Sequence, residues 1–440
     1  MTARRDAKHV VLVVCDSLRS DLVDAESAPA IAQIAAGGVR HTSFRSVFPS
    51  TTRTSAASLA TGCLPAAHGL LGNTMAIDEG RGLVCVSAGK PDFLERLRRA
   101  TGRALGRPTM HERVAQLGQA VVMSNVSPGA AYVHDPEGAG WVWHRAGSFG
   151  PARVRLERGL DVEIGADGDR AMTDRFCQEV LDEGEPPYAV LWLSEPDHTG
   201  HHDGLGSPQH RRAIAAADAC VARVHATVRG LDPGGERILF AVCSDHGMQT
   251  IRRRVDVALH LVEAGFKASI ESSDVVVAPQ GTAALLSFSR AAEARVPHVA
   301  AWLERQDWVG RVISGDGLAA VGLPTGGHLR IAVALAGDDE PNDHGVRGRS
   351  DVAENPLGGE SLPGHGQHGG LARYEQSPFL VIEGAGFERG VRDEPASLID
   401  LAPTFLRHLG LDADDIDGHA IPLGAAAAAA SAITDSGIAA

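Results

Sequence analysis

The sequence predicts an α/β fold in which a mostly parallel sheet carries helices on both faces. Short apolar runs rich in β-branched residues alternate with longer stretches of helical pattern, as in parallel sheets whose two faces are covered. Three of these runs lead directly into polar turns that contain Asp and His. Because open α/β sheets bind ligands outside the carboxyl ends of their strands, we expect the three turns to share one edge.

Five segments are the clearest strand candidates. In chain order they are residues 10–14 (VVLVV), 120–123 (AVVM), 188–193 (YAVLWL), 238–242 (ILFAV) and 378–384 (PFLVIEG). Asp16 follows the first, SEPDHTGHHDG follows the third, and CSDHGM follows the fourth. These are the three polar turns expected at one edge of the sheet.

The remaining organisation predicts an inserted subdomain and a tail. Residues 252–340 contain two strand patterns, a helix pattern and a final strand pattern, but few candidate ligands. Residues 338–370 are polar and rich in Gly, which predicts a long functional or mobile loop. The predicted catalytic core therefore comprises residues 1–251 and 341–425, with residues 252–340 inserted and residues 426–440 forming a low-complexity tail.

Composition limits the partners and the compartment. The 440 residues are 44% hydrophobic and carry a formal charge of −14, which argues against a nucleic-acid polymer or an anionic membrane as the standing partner. Six scattered cysteines form no C-x-x-C pair, which indicates reduced thiols. The apolar run after the basic N-terminus is too short for a signal sequence, so we expect a cytoplasmic protein. The oligomeric state stays open, a homodimer included.

Asp and His side chains from four parts of the chain are candidate metal ligands. They are Asp16, the pair Asp197 and His201, the pair Asp245 and His246, and His368. Taken singly, each also fits a helix cap, a turn or a solvated side chain. His198, His202 and His365 lie beside these candidates, and His365 is the main alternative to His368.

The stretch FPSTTRTSAASLATG, residues 48–62, crowds five hydroxyl side chains before a helix pattern. Ser and Thr are common helix caps, which is the structural interpretation. The functional interpretation is that one hydroxyl is a nucleophile at a helix N-terminus, where free N–H groups and the helix dipole favour a bound anion.

A set of motifs in order along the chain resembles the alkaline phosphatase superfamily, in its branch of type I phosphodiesterases, nucleotide pyrophosphatases and phosphonoacetate hydrolases. The motifs are VVCDSLR, FPSTTRTSAASLATGCLPAAHGLLGN, EPDHTGH, CSDHGM, GQHGG with EQSPFLVI, and LIDLAPTFLRHLGL with DGHAI. The resemblance implies an alkaline-phosphatase-like three-layer sandwich with a central, mostly parallel sheet and an inserted small α+β subdomain. It also implies two divalent cations, most often zinc.

The resemblance implies a role for each candidate. One cation would take Asp197, His201 and His368, and the other Asp16, Asp245 and His246 together with the nucleophile. Counting back from Thr61, Gly62, Pro65 and His68 selects Thr52 as the nucleophile, or Thr51 if the alignment is displaced by one residue. Asn73 would bind the phosphoryl oxygens, although it also fits a turn, and His68 would be structural.

Two features depart from the nucleotide-cleaving relatives. Those relatives carry an aromatic residue after the nucleophile, whereas this chain has Arg53, which indicates a second anionic group on the substrate. Phosphonoacetate hydrolases would use lysines for that group, but none of the three lysines is well placed, which leaves Arg53 or Arg145. The aromatic residues of the segment 132–145 fit either a lid or simple packing; they are Tyr132, Trp141 and Trp143.

The sequence thus predicts a two-metal phosphoric ester hydrolase of the phosphodiesterase or nucleotide pyrophosphatase type that acts through a phosphothreonine intermediate. The alternative is a phosphonoacetate hydrolase or related C–P hydrolase. A metal-binding protein without catalysis and a phosphomutase are more remote alternatives. We expect a small phosphate- or phosphonate-containing substrate, and zinc, with manganese compatible with the same ligands.

Overall fold

The computed structural model describes residues 7–359 and 361–424. The strands are β1 (His9–Cys15), β2 (Val39–His41), β3 (Phe44–Arg45), β4 (Thr74–Asp78), β5 (Leu83–Ser87), β6 (Val121–Ser124), β7 (Trp141–Trp143), β8 (Phe149–Gly150), β9 (Val154–Arg155), β10 (Tyr188–Leu193), β11 (Ile238–Cys243), β12 (Gln249–Val255), β13 (Val275–Pro279), β14 (Ala283–Phe288), β15 (Val309–Ser314), β16 (Leu329–Leu335), β17 (Gly337–Pro341), β18 (Arg347–Ala353), β19 (Gly366–Gln367), β20 (Leu380–Glu383), β21 (Gly390–Arg392) and β22 (Ala396–Ser397).

The helices have the bounds α1 (Pro29–Gly37), α2 (Thr52–Thr61), α3 (Pro65–His68), α4 (Phe93–Thr101), α5 (Met110–Val114), α6 (Pro128–Tyr132), α7 (Ala166–Arg175), α8 (Asp197–Gly200), α9 (Pro208–Leu231), α10 (Val257–Glu263), α11 (Val296–Leu303), α12 (Asp316–Ala320) and α13 (Leu401–Leu409). Helix α7 continues as a π-helical stretch over Phe176–Asp182. Among these helices, none has the length and apolar composition that crossing a bilayer requires.

The central sheet has ten strands in the order β21-β2-β20-β11-β1-β10-β6-β7-β8-β9. Strand β1 is parallel to β10 and β11, β10 is parallel to β6, and β20 runs antiparallel to β11. Alternate residues of β1 point to opposite faces, as strand geometry requires. Val10, Leu12 and Val14 pack with α2, α4 and α13, while Val11 and Val13 pack with α1, α7 and α9. The predicted three-layer α/β fold is confirmed.

A separate antiparallel sheet lies within the predicted insert. It has the order β13-β14-β16-β15, and its core includes apolar residues of α10 and α11. The division into residues 1–251 and 341–425, 252–340, and 426–440 remains a prediction, and the predicted tail lies outside the described residues.

The prediction of a loop over residues 338–370 is wrong for part of its length. Residues from this segment form most of β17, all of β18, and β19, and β18 pairs with both β12 and β17. The charges that indicated a loop are neutralised across the strands. Arg252 on β12 binds the buried Asp351 at 2.7 Å, and Arg349 binds Asp338 at 2.8 Å. A polar sequence can form such strands where oppositely charged side chains meet across neighbouring strands, as these two pairs do.

Five buried histidines predict a pH-dependent stability. Burial lowers the pKa of each below its ordinary value, to about 3 or about 4; the five are His41, His68, His134, His144 and His210. Between about pH 6.5 and pH 4 the unfolded chain takes up protons that the folded chain excludes. The free energy of unfolding therefore falls as the pH drops through this range, by up to about 1.4 kcal/mol per pH unit for each histidine.

Urea unfolding of the chelator-treated protein between pH 7 and pH 4 measures this dependence without a contribution from bound cations. His41→Phe removes one of these titrating groups, so the profile should become shallower by about one proton. The substitution breaks no hydrogen bond, because neither ring nitrogen of His41 has a partner among the described residues. His298→Gln, on the surface, is the control. A free energy of unfolding that stays level between pH 7 and pH 5 would contradict the expectation.

Candidate active site

The parallel strands β1, β10 and β11 bring three polar turns to one edge of the sheet. Cys15 at the end of β1 is in register with Leu193 of β10, and Val14 is in register with Cys243 of β11. Each strand therefore ends at the same level, and the following residues meet there. The expectation that the turns share one edge is confirmed.

Asp16, Asp245 and His246 form the first ligand group at this edge. All three are fully buried, and His246 Nε2 lies 3.0 Å from Asp245 Oδ2 and 3.7 Å from Asp16 Oδ1. Both of these carboxylate oxygens are buried without a hydrogen-bond donor from any described residue. Unpartnered buried carboxylate oxygens are costly unless a cation binds them, so this group fits a divalent cation.

Asp197, His201 and His368 form the second ligand group. Asp197 begins α8, His201 follows its last residue, and His368 follows β19. Asp197 Oδ1 lies 3.3 Å from His201 Nε2 and 3.5 Å from His368 Nε2. The residues come from distant parts of the chain, and their ligand atoms lie within 4.8 Å of one another.

Backbone carbonyls orient all three histidines. Nδ1 of His201 donates to the carbonyl of Gly366 at 3.0 Å, Nδ1 of His368 donates to Ser50 at 2.8 Å, and Nδ1 of His246 lies 3.1 Å from the carbonyl of Gly247. A carbonyl can only accept, so the proton is assigned to Nδ1. Each Nε2 then turns a lone pair toward the carboxylates, which is the usual arrangement of metal-binding histidines.

Ser17 links the two groups into one site, although sequence reasoning did not single it out. Its hydroxyl donates to Asp197 Oδ1 at 2.6 Å and lies 3.1 Å from His246 Nδ1, and its backbone N–H donates to Asp245 Oδ1 at 3.2 Å. The rings of His246 and His368 stack with centroids 3.8 Å apart. The only sequence signal for Ser17 is its position after Asp16.

The crowded charges shift the pKa values of the ligands in opposite directions. Burial raises the pKa of Asp16 well above its usual range, and Asp245 and Asp197 raise it further. Burial would also raise the pKa of Asp197, but His201, with smaller contributions from the other histidines, holds it below its usual value. Carboxylates that repel one another in a buried site are the environment that a bound cation stabilises.

Thr52 is the hydroxyl of the crowded stretch that faces the ligand groups. It is the first residue of α2, is 6% exposed, and places Oγ1 3.2 Å from His246 Nε2. The hydroxyl of Thr51 instead lies 2.9 Å from that of Thr54, and Ser50 donates to the carbonyl of Gly370. The geometry therefore brings Thr52, and not Thr51, into the site.

Asn73 and Arg53 line the same cavity of about 450 Å³ as Asp16, Thr52 and Asp197. Asn73 Oδ1 accepts from the backbone N–H of Arg53 at 3.4 Å, and the backbone N–H of Asn73 donates to Gln280 Oε1 at 2.6 Å. Gln280 belongs to the predicted insert, which therefore helps to position the site. Sequence reasoning missed this contribution because the insert carries no obvious ligand pattern.

The flanking histidines do not belong to either ligand group. His365 donates through Nδ1 to the carbonyl of His201 at 3.0 Å and does not join either ligand group. His198 and His202 face each other with centroids 4.7 Å apart and line the cavity. Nε2 of His68 bonds with the Ser58 hydroxyl at 2.9 Å, in keeping with a structural role.

The aromatic segment 132–145 does not form a lid over the site. Tyr132 is buried and donates through its hydroxyl to the carbonyl of Gly147. Trp141 and Trp143 stack on each other along β7 and line a different cavity. Packing is thus what the structure shows for these aromatic residues, while Arg145 reaches the site cavity.

Trp192 is a further residue that sequence reasoning missed, and it supports Asp16. Its indole Nε1–H donates to Asp16 Oδ2 at 3.0 Å, which leaves Oδ1 free for a cation. The indole N–H of a Trp inside a buried strand needs a hydrogen-bond acceptor, and this need was the only sequence signal for the role of Trp192. We expect Trp192→Phe to lower zinc or manganese affinity by about 10- to 100-fold.

Calorimetric titration of the chelator-treated Trp192→Phe protein with ZnCl₂ or MnCl₂ measures this loss. Trp302→Phe is the matched control, since Trp302 packs against Phe266 and Trp308 in a separate core. Unchanged affinity in Trp192→Phe would show that the indole does not hold Asp16 for a cation.

An open α/β sheet with two carboxylate–histidine groups at its edge is the arrangement that the resemblance to the alkaline phosphatase superfamily implies. The model of one protein family matches residues 10–315, and its description is type I phosphodiesterase/nucleotide pyrophosphatase. The chain belongs to this family, which makes it a hydrolase of phosphodiester substrates; two-metal dependence is typical of the family.

Two solved structures show the same fold. An inactive form of murine ectonucleotide pyrophosphatase/phosphodiesterase 5 in complex with AMP aligns over 94% of this chain and 97% of its own, with a TM-score of 0.66 and 18% identity. A second structure of that murine protein covers 93% and 97%, with a TM-score of 0.65 and 17% identity. No curated protein matches the sequence at a significant level.

Proposed function

We propose that this chain is a two-metal phosphoric ester hydrolase in which Thr52 attacks phosphorus. The observation that carries the proposal is the position of the Thr52 hydroxyl, 3.2 Å from His246 Nε2 and inside the cavity lined by ligands of both groups. Asp16, Asp245 and His246 would hold one cation, and Asp197, His201 and His368 the other. When bound, the two cations supply the positive charge that favours an ionised hydroxyl and stabilises oxygens that become negative.

The proposed reaction has two displacements. Thr52 Oγ1 forms a bond to phosphorus while the bond to the leaving alcohol breaks; the proton of Oγ1 passes to the departing alcohol, and the phosphothreonine still carries the second ester group. Water then attacks the same phosphorus and the bond to Oγ1 breaks, so that a proton from the water restores the Thr52 hydroxyl and the phosphate monoester of the retained group is released. In this proposal the Asn73 side-chain amide and the N-terminus of α2 would bind the phosphoryl oxygens through both steps.

The substrate in this proposal is a small phosphate-containing molecule. The murine protein with the same fold was solved with AMP, which supports a phosphate ester of nucleotide size as a candidate. Zinc is the proposed cation because the ligands mix imidazoles with carboxylates, and manganese tolerates the same set. A cytoplasmic location remains a prediction; all six cysteines are free, in keeping with reduced thiols.

A second candidate is C–P cleavage of phosphonoacetate or a related phosphonate. It is favoured by Arg53, a cation beside Thr52 where nucleotide-cleaving relatives would carry an aromatic residue. Lys8 and Lys267 give it no support, because Lys8 lines a different cavity and the Lys267 ammonium donates to the carbonyls of Ser272 and Val275.

A substrate panel separates the two candidates. The protein loaded with zinc or with manganese is assayed on bis(p-nitrophenyl) phosphate, p-nitrophenyl phosphate and phosphonoacetate, and the chelator-treated protein is the control. We expect metal-dependent release of p-nitrophenol from the diester. Release of phosphate from phosphonoacetate with no turnover of the diester would replace the first candidate by the second. Failure to cleave any of the three would contradict both.

A further inference from the structure

Two arginines line the cavity beside Thr52, and each retains hydrogen-bond donors that no acceptor among residues 7–359 and 361–424 contacts. We infer that Arg53 and Arg145 form an anion subsite, which selects phosphodiesters that carry a second negative group on the part of the substrate that does not leave. The inference rests on the proposed function and adds the class of substrate: esters with a carboxylate or phosphate beyond the reacting phosphorus.

Arg53 is held in place by one hydrogen bond and one close approach. Its Nε donates to Ser127 Oγ at 2.9 Å, and Ser127 caps the N-terminus of α6. Gly89 lies against the guanidinium, since a Cβ at that position would come within 2.8 Å of Arg53 Nη2. Among the described residues, no acceptor contacts either Nη atom of Arg53, so both can bind a ligand.

Arg145 is fixed on the same short segment, residues 125–127. Its Nη1 donates to Asn125 Oδ1 at 2.9 Å, to the carbonyl of Val126 at 3.0 Å, and to the carbonyl of Asn125. Within the described part of the chain, Nε and Nη2 of Arg145 have no acceptor. The two guanidiniums therefore flank three consecutive residues, and each leaves a pair of donors for a planar anion.

Neither guanidinium lies within ion-pair distance of a carboxylate in the part of the chain that the structure describes. Surface arginines of this chain pair with carboxylates, as Arg96 does with Glu79 at 2.6 Å, whereas no described carboxylate lies within 4.0 Å of the Arg53 or Arg145 guanidinium. The Asn125 side chain hydrogen-bonds to both Asp169 and Arg145 and so lies between them. Burial lowers the pKa of both arginines, and the charges of Asp197 and Asp16 near Arg53 and of Asp169 near Arg145 only partly oppose this; a guanidinium stays charged in proteins. Charges held this way in a partly buried cavity favour an anionic ligand.

The reacting phosphoryl group does not require both arginines. Asn73, the N-terminus of α2 and the two ligand groups already surround Thr52 and serve the phosphoryl oxygens in the proposed reaction. A carboxylate or phosphate on the retained part of the substrate accepts two parallel N–H bonds from one guanidinium, and this bidentate geometry suits Arg. The subsite therefore recognises a second group, not the reacting one.

Three esters with the same leaving group test the inference on the zinc- or manganese-loaded protein. They are methyl p-nitrophenyl phosphate, carboxymethyl p-nitrophenyl phosphate, and p-nitrophenyl phosphate. We expect kcat/KM to be at least tenfold higher for the carboxymethyl ester than for the methyl ester. Arg145→Met and Arg53→Met should each reduce this ratio toward one, and Arg145→Lys should restore part of it.

Two further variants separate loss of charge from loss of fold. Gly89→Ala keeps both charges but displaces the Arg53 guanidinium, so it should also reduce the ratio. Arg170→Met removes an exposed arginine that pairs with Asp167 on α7 and should leave the ratio unchanged.

Binding of phosphonoacetate to the Thr52→Ala protein, measured by calorimetry, should weaken about tenfold when Arg145→Met is added.

The outcomes distinguish this inference from the proposed function. If the metal-loaded wild-type protein turned over none of the three esters, the proposed function would be contradicted. Turnover of the methyl ester with a wild-type ratio near one would overturn the anion subsite alone. A p-nitrophenyl phosphate kcat/KM above that of the carboxymethyl ester would also overturn it, because the second charge would then belong on the reacting phosphorus.

Discussion

Thr52→Ala should lower kcat for bis(p-nitrophenyl) phosphate by about ten-thousandfold or more, because it removes the atom that bonds to phosphorus. The six Asp and His ligands remain, so the variant should still bind two cations per chain. Its fold should be intact, since the side chain lies at the first position of α2 and loses only a methyl group and a hydroxyl. Stopped-flow and steady-state assays on metal-loaded protein measure the loss.

Neighbouring hydroxyls provide matched controls for Thr52. Thr51 and Thr54 contact each other and not the ligand groups, so Thr51→Ala should retain most activity and lose about 1 kcal/mol of stability, the usual effect of losing such a contact. Thr52→Ser keeps a hydroxyl and should retain partial turnover. If Thr52→Ala kept wild-type kcat, or if Thr51→Ala lost it instead, the nucleophile would be misassigned.

Asp16→Ala and His368→Ala should each lower kcat/KM by about a thousandfold or more, since each removes a ligand from a different cation group. Metal analysis should show that the affected group no longer retains its ion after dialysis. His365→Ala is the matched control for His368→Ala, because His365 lies three residues earlier and contacts the carbonyl of His201. Full activity in either ligand variant would remove that group from the mechanism.

Asp16 offers a second readout that does not depend on activity. Burial, Asp245 and Asp197 raise its pKa, so the ionised carboxylate is unfavourable in the metal-free protein. Asp16→Asn should therefore raise the melting temperature of the chelator-treated protein while lowering the stabilisation that zinc provides. Equal zinc stabilisation in wild-type and Asp16→Asn proteins would argue against Asp16 as a ligand.

The sequence predicted the sheet and the assembly of the ligand groups because both follow from simple geometry. β1, β10 and β11 are continuous apolar runs, as expected for strands covered on both faces, and parallel strands end at one edge. That placement brings Asp16, Asp197 and Asp245 together without knowledge of side-chain contacts. The resemblance to the superfamily supplied the role proposed for each residue.

The supporting contacts could not be predicted in the same way. The contacts of Ser17, Trp192 and Gln280 that support the site are hydrogen bonds to residues 176 or more positions away in the chain. On strand β18, Asp351 forms ion pairs with Arg252 and Arg253 of β12, which local polarity does not reveal. Such pairings are fixed only when tertiary structure brings the partners together.

Two groups of candidate cation ligands meet beside Thr52. The most direct test of cation binding at these groups is a crystal structure of protein loaded with zinc, with anomalous diffraction measured on both sides of the zinc absorption edge. We predict two zinc peaks per chain, one among Asp16, Asp245 and His246 and the other among Asp197, His201 and His368. A fully active protein with no anomalous peak at either group would show that catalysis does not depend on cations bound beside Thr52.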